Sequence, residues 1–526
     1  MPHFPPKILA VVLLLAGLPL ALHARKPDPL VVKTLPGKIQ GVLTPDGQVR
    51  AFLGIPYAQP PVDQLRWKAP QPVARWKGVR PATAFGPHCM QFGAYPDMVF
   101  HDPGPNEDCL TLNVWAPTGA KPGSLPVMVW IHGGGFQTGG SSEQRQDGQV
   151  LAHRNVVVVS MNYRLGVFGF FSSSELAEES GHNASGNYGL MDQTEALQWV
   201  QENIFAFGGD PANVTLFGES AGSMSVSAQV ASPLTRGLIA KAIGESGSLF
   251  AGAPDSQYIP QPREKLEARN ARWAENTFGS DHLTYLRSLS TGDLMNAFKS
   301  GRKAPFMGPV VDGYFLPDTL EHLYADGKQA HIPLLAGWNA NESRTKTPLA
   351  ETAQTDFGEQ AQAFLSAYGP SGQSDALGDS ATSRIADDYA SDRFIVYATW
   401  KWIEAQTKTG GAPVYRYRFE LGSPGDRNHP AEQGAFHSDD IEYVFGTLDS
   451  RPGVKLRPED RTLSDQMGRY WTNFARTGDP NGPGLPKWPA YSASHNVMTL
   501  DANPKALPAP HENRYQFLDS VWGESK

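Results

Sequence analysis

Apolar residues along this chain gather into short unbroken runs separated by glycine- and proline-rich turns, the pattern of strands buried on both faces. Residues 126–131 read Pro-Val-Met-Val-Trp-Ile, residues 156–160 Val-Val-Val-Val-Ser, and residues 214–217 Val-Thr-Leu-Phe. The gap between the first two, about two dozen residues, leaves room for a crossover connection. Before the third run, residues 187–193 (Asn-Tyr-Gly-Leu-Met-Asp-Gln) open a helix whose apolar positions are Ala196, Leu197, Val200 and Ile204. Gly208-Gly209-Asp210-Pro211 is its expected end. Strand, helix and strand in this cadence predict a mostly parallel sheet with helices on its faces. Nearer the start, residues 30–35 and 49–53 are short strand candidates, with the turn Thr44-Pro45-Asp46-Gly47 between them. Residues 106–114 alternate as a half-buried strand would.

Composition adds limits. The 526 residues are 40% hydrophobic and 19% charged, with 53 Gly and 44 Pro, a globular profile with many ordered loops. A spread net charge of −8 argues against nucleic acid as a partner. There is no linker or repeat, so residues 25–526 are expected to form a single domain with insertions. Ahead of it, Lys7 precedes the apolar run 8–21, and Leu22-His23-Ala24 offers a cleavage site. Residues 1 to about 24 read as a signal peptide, with an uncleaved anchor or a buried helix as the alternative. A secreted or periplasmic protein without a stable membrane anchor is the expectation. The two cysteines, Cys89 and Cys109, would then close a disulfide loop worth roughly 3 kcal/mol, with two buried thiols as the alternative. Two cysteines also argue against a structural zinc site, and no metal is expected. Arg66 and Glu107 are a candidate ion pair beside that loop, with a solvated pair as the default reading.

The third apolar run leads straight into Gly218-Glu219-Ser220-Ala221-Gly222, and residues 223–230 are compatible with a helix. A serine on a sharp strand-to-helix turn is strained, and its neighbours must be small because strand and helix pass close by. The helix N-terminus behind it offers N–H groups and partial positive charge to a developing oxyanion. Ser220 is therefore a candidate nucleophile for acyl transfer. The motif alone also arises by chance, and Gly244-Glu245-Ser246-Gly247-Ser248 is a decoy without the closing glycine. Residues 126–131 end in His132-Gly133-Gly134-Gly135-Phe136, where glycines let backbone approach a ligand closely. Gly134 and Gly135, completed by the Ala221 N–H, are the candidate oxyanion hole.

Taken together these stretches resemble the type-B carboxylesterase/cholinesterase family of α/β-hydrolases across almost all of the mature chain. The resemblance rests on residues 107–114, 132–136, 187–193 and 218–222, and on Pro309-Val310-Val311-Asp312-Gly313, residues 436–446 and residues 470–478. It implies an α/β-hydrolase fold, with a large central mostly parallel sheet, helices on both faces, and loop or helical insertions forming an active-site gorge. It also implies a Ser…Glu…His triad in that chain order. His437 lies in the matching His-x-x-Asp-Ile-x-Tyr-Val-Phe-Gly stretch, with Asp440 at the family's acidic position. Residues 334–342 (Leu-Leu-Ala-Gly-Trp-Asn-Ala-Asn-Glu) resemble the strand and loop that carry the acid, which assigns Glu342. Ser343 departs from the glycine of many members and leaves that loop's geometry open. Asp312 is the rival carboxylate, in a setting that reads as a structural turn. Glu219 resembles an acidic residue near the pocket floor, with an electrostatic or a structural role, and Ser246 a hydrogen-bonding support.

The implied activity is hydrolysis of small-molecule carboxylic esters through an acyl-enzyme, with no cofactor and no specified oligomeric state. A choline-ester hydrolase is one alternative. The family's cholinesterases hold the quaternary ammonium on a tryptophan in the cysteine-flanked loop, but residues 90–100 contain Phe92, Tyr95 and Phe100 and no Trp. Tyr95 and Phe100 fit an entrance lining or simple packing equally. A catalytically inactive binding module is the other alternative, and the presence of every triad candidate argues against it. Sequons at Asn183, Asn213 and Asn341 are weak signals of glycosylation.

Overall fold

The computed structural model describes residues 1–3, 30–93, 95–299, 304–369, 379–425 and 434–523. Residues 4–24 of the expected signal peptide lie outside the described residues.

The two-sided burial written into the apolar runs becomes an eleven-stranded sheet. Its strands are β1 (Val42–Leu43), β2 (Val49–Pro56), β3 (Thr111–Pro117), β4 (Leu125–Ile131), β5 (Val157–Met161) and β6 (Gly209–Glu219). Then come β7 (Lys241–Glu245), β8 (Leu334–Asn339), β9 (Val414–Phe419), β10 (Asn496–Leu500) and β11 (Lys505–Pro508). The spatial order is β1-β2-β3-β5-β4-β6-β7-β8-β9-β10-β11. From β5 to β10 every neighbouring pair is parallel. β1, β2 and β3 pair antiparallel at one side and β11 at the other.

Alternate residues of one strand enter different cores. Val127, Val129 and Ile131 of β4 join one hydrophobic cluster, whereas Met128 and Trp130 join another. α1 (Tyr188–Asn203), α2 (Ala221–Ala231) and α3 (Tyr397–Thr409) cover the first face, through residues such as Leu197, Val226 and Ile403. α4 (Pro458–Thr477) covers the second with Met467, Tyr470, Trp471 and Phe474. The chain jumps from β5 over β4 to β6, so the strand order reverses beside β4 and β6. In open α/β sheets ligands bind at such a crevice, outside the carboxyl ends of the strands.

Several expectations need correction. Residues 106–110 are not strand; β3 starts at Thr111 and is buried along its interior rather than half-buried. It lies between β2 and β5, and its buried Asn113 amide is satisfied, accepting from the Gly54 N–H (2.9 Å) and donating to Ser141 Oγ (3.0 Å). The strand candidate at 30–35 shortens to Val31–Lys33 and belongs to a separate three-stranded sheet. α1 passes into a 3-10 turn, and Gly208 ends it at a φ of 105°. Gly209, Asp210 and Pro211, expected to end that helix, instead begin β6. Arg66 and Glu107 meet in a bidentate pair at 2.6 and 2.8 Å with side chains 6% and 7% exposed, so the solvated reading does not hold. Next to them the Cys89 and Cys109 sulfurs are bonded, with their Cα atoms 5.0 Å apart. Among the described residues no helix is long and apolar enough to cross a membrane.

Candidate active site

β6 delivers Ser220 to the carboxyl edge of the sheet, and α2 starts at the next residue. The turn is strained: Ser220 has a φ of 56°, in the left-handed region that side chains rarely adopt. Crowding explains the flanking glycines. A Cβ on Gly222 would lie 2.0 Å from the Ile131 carbonyl oxygen, and one on Gly218 would lie 2.7 Å from the Gly222 backbone.

β7 runs beside β6 with Gly244 opposite Gly218 and Glu245 opposite Glu219. The sequence decoy is therefore the strand next door, in register. Ser246 repeats the left-handed conformation with a φ of 55°. The Ser220 N–H donates to the Glu245 carbonyl (2.9 Å), and the Ser246 N–H to that of Gly337 (2.9 Å).

His437 lies on the loop after Phe436, which bridges to Asn341 beyond β8. Its Nε2 stands 2.9 Å from Ser220 Oγ, and its Nδ1 2.6 Å from Glu342 Oε2. The other oxygen of Glu342 accepts from Ser246 Oγ and from the Asn339 N–H, both at 2.6 Å. The structure thus brings Ser220, His437, Glu342 and Ser246 into one hydrogen-bonded line. The loop around Ser343 is held as well, since the Ser343 N–H donates to Ser391 Oγ (3.0 Å). Asp312 is occupied elsewhere, its Oδ1 accepting from the N–H groups of Leu316 (2.9 Å) and Tyr314 (3.1 Å) in a turn.

Glu219 is 2% exposed; its Oε1 accepts from Ser438 Oγ (2.9 Å) and lies 3.4 Å from His437 Nε2. Burial raises its carboxyl to about 8. Burial by itself disfavours the His437 imidazolium, but the carboxylates of Glu219 and Glu342 outweigh it and raise the imidazole to about 9. Asp440 accepts from Tyr417 OH (2.9 Å) and from Asn339 Nδ2 (3.2 Å). Burial, with the Glu342 charge beside it, pushes its carboxyl up to about 6.

After β4, Gly134 and Gly135 adopt φ values of 106° and 61°. The Gly134 carbonyl accepts from the N–H groups of Gln137 and Thr138, and a Cβ there would lie 2.1 Å from the Thr138 carbonyl oxygen. The N–H groups of Gly134, Gly135 and Ala221 have no acceptor among the described residues, so all three are free to donate.

Sequence reasoning passed over three contributors. Glu245 accepts from Trp471 Nε1 (2.7 Å) beneath the serine turn; the repeated Gly-Glu-Ser was the available signal. Phe394 meets the His437 ring nearly edge-on, with ring centres 5.1 Å apart. It rides on a π-turn at Asp392–Val396, which no local pattern announces. Gln91 ties the disulfide loop to Gly139 (2.7 and 2.9 Å). In the same loop Tyr95 is solvent-exposed, while Phe100 stacks on His88 with ring centres 4.4 Å apart.

A model of the carboxylesterase family matches residues 28–518. Carboxylesterase 5A of Canis lupus familiaris is 37% identical over 507 residues, covering 89% of this chain and 84% of its own. Fumonisin B1 esterase of Sphingopyxis macrogoltabida is 34% identical, covering 93% and 89%. Para-nitrobenzyl esterase of Bacillus subtilis (strain 168) is 35% identical, covering 94% and 99%. A solved PNB esterase structure matches with a TM-score of 0.77 at 34% identity, covering 93% of this chain and 100% of that one. With motifs, architecture and relatives in agreement, this chain belongs to the type-B carboxylesterase family and is a carboxylic ester hydrolase of the α/β-hydrolase fold.

Proposed function

We propose that ester hydrolysis here proceeds through an acyl-enzyme on Ser220, with His437 as general base and Glu342 as its orienting carboxylate. Ser220 Oγ attacks the ester carbonyl carbon while its proton passes to His437 Nε2. The tetrahedral oxyanion takes hydrogen bonds from the N–H groups of Gly134, Gly135 and Ala221, each worth ~2.7–4 kcal/mol of transition-state stabilisation. The imidazolium returns the proton to the leaving alcohol. Water then repeats the sequence, displacing the acid and restoring Ser220. Glu342 holds the tautomer with the proton on Nδ1 and stabilises the imidazolium.

The observation that carries this reading is the unbroken line from Ser220 Oγ through His437 to Glu342, at 2.9 and 2.6 Å. Burst kinetics with p-nitrophenyl esters from acetate to palmitate, run beside Ser220→Ala, test it. A burst stoichiometric with enzyme and missing from the variant is the expected result, and the chain-length optimum sizes the acyl pocket. A burst that survives in Ser220→Ala would move the nucleophile elsewhere.

The same reading includes export to an oxidising compartment, secreted or periplasmic. The apolar run after Lys7 and the Cys89–Cys109 bond support it. An exported protein that begins near residue 25 on N-terminal sequencing is the expected outcome; an intact Met1 would refute it.

A further inference from the structure

The side chain that stands on Gly135, whose N–H is proposed above to hold the oxyanion, is Tyr258. A Cβ placed on Gly135 would lie 3.2 Å from the Tyr258 hydroxyl oxygen, with Cε1 and Cζ of the same ring next at 3.8 and 4.0 Å. A donor in an oxyanion hole lies about 2.7–3.1 Å from the oxygen it holds. The Tyr258 hydroxyl is therefore within reach of substituents a few bonds from the ester carbonyl.

Tyr258 is held in place against the glycine loop. Its ring meets Phe306 edge-on, with centres 5.4 Å apart. The Phe306 carbonyl accepts from Arg269 (2.8 Å), and the Met307 carbonyl from Gln137 Nε2 (2.6 Å), two residues beyond Gly135. The aromatic wall and the oxyanion loop are thus tied to each other. Tyr258 is half-buried, and its hydroxyl keeps accessible surface. Burial pushes the hydroxyl pKa up, Gln257 opposes this by a hydrogen bond, and Tyr95 adds to it through charge alone. A bond that lowers the pKa of a phenol is one received by its oxygen, so the proton stays available to a substrate.

The two sides of the ester are told apart by His437. The leaving oxygen must face its Nε2 to receive a proton, and Phe394 walls that side. The ring partner of Tyr258 is Phe306, not His437 or Phe394. The acyl group, which points away from the imidazole, is what meets Tyr258.

We propose that Tyr258 selects the acyl group: its hydroxyl donates to an acceptor oxygen close to the ester carbonyl, so oxygen-bearing acyl chains are preferred over plain alkyl chains. This rests on the Ser220 mechanism and adds a substrate class to it.

The p-nitrophenyl esters of methoxyacetic and butyric acid test it, since they differ only by an ether oxygen in place of a methylene. Tyr258→Phe keeps the ring and its contact with Phe306, so the variant should fold. The ratio of kcat/KM for methoxyacetate to that for butyrate should fall about threefold or more in the variant, within the worth of one neutral hydrogen bond. Intrinsic reactivity cancels, because the same two esters meet both proteins. On the alcohol side, the ratio for 2-methoxyethyl acetate over butyl acetate should fall less than the acyl ratio does. A smaller fall in the acyl ratio would overturn the proposal, and so would an alcohol ratio that falls further than the acyl one. Failure of the Ser220 reading shows separately, as a burst that survives in Ser220→Ala. A Ser220-dependent burst with an unmoved acyl ratio strikes the role of Tyr258 alone.

Discussion

Ser246 donates its hydroxyl proton to Glu342 Oε1 at 2.6 Å, while His437 engages the other oxygen of the same carboxylate. The Asn339 N–H shares Oε1 at 2.6 Å, so two donors together fix the rotation of the group that aligns the imidazole. Ser246→Ala keeps a Cβ at a φ of 55° and removes one of those donors. We expect kcat to fall about tenfold, equivalent to about 1.4 kcal/mol, with KM nearly unchanged. Stability should fall by about 1–3 kcal/mol. Wild-type kcat in this variant would mean that Asn339 alone orients Glu342.

The pairing of Glu219 with His437 sets the pH response. As the proposed general base His437 must be neutral to work, and against the opposing effect of burial the nearby carboxylates raise its imidazole to about 9. Activity should therefore rise with pH through a titration above the ordinary imidazole value of about 6.5. Glu219 itself sits at about 8 through burial, so it and His437 titrate as a pair rather than singly. Glu219→Gln removes one negative charge beside Nε2, which destabilises the imidazolium and lowers the His437 pKa. The kcat/KM profile of this variant should shift to lower pH by about one unit. An unmoved profile would leave Glu219 a structural role only.

Much of this site is legible in the sequence because its parts are local. A strand that runs into Gly218-Glu219-Ser220-Ala221-Gly222 and then a helix states its own geometry, and a continuous run such as residues 126–131 states two-sided burial. What pattern alone does not reveal is registry between distant segments. Gly244-Glu245-Ser246 looks like a decoy until β7 is seen beside β6, where its backbone props Ser220 and its serine holds Glu342. Strand ends are similarly hidden: the polar residues of 106–114 mimic alternation, yet Asn113 is buried and bonded rather than solvated. The contact of Phe394 with His437 depends on a π-turn and on residues more than forty apart in sequence, so no local period encodes it.

Gly222 tests the packing behind the serine turn. A Cβ there would stand 2.0 Å from the Ile131 carbonyl oxygen, which belongs to the sheet backbone and cannot rotate aside. Gly222→Ala must therefore push α2 away from β4. We expect a loss of about 1–3 kcal/mol in stability by denaturant unfolding. Activity should suffer disproportionately, by about a hundredfold, because Ala221 moves with the helix and its N–H leaves the position proposed for holding the oxyanion. A stable, fully active Gly222→Ala protein would show that this close approach is not required.

The disulfide reaches the glycine loop through one side chain. Gln91, two residues past Cys89, donates to the Cys89 carbonyl (3.0 Å) and to the Gly139 carbonyl (2.7 Å), and accepts from the Gly139 N–H (2.9 Å). Its Oε1 also accepts from Thr138 Oγ1, and the Thr138 N–H in turn donates to the Gly134 carbonyl (3.1 Å). A path of hydrogen bonds thus runs from the Cys89–Cys109 bond to the N–H groups proposed to hold the oxyanion. Cys89→Ser with Cys109→Ser should cost roughly 3 kcal/mol of stability, as expected for a loop of this length. Through the path, the double variant should also lower kcat. Gln91→Ala breaks the path with the disulfide intact and should lower kcat about three- to tenfold, with a loss of stability of about 1–3 kcal/mol from the partners left unpaired. If Gln91→Ala keeps wild-type kcat and only the cysteine variant loses activity, the disulfide acts through global stability and not through the oxyanion loop.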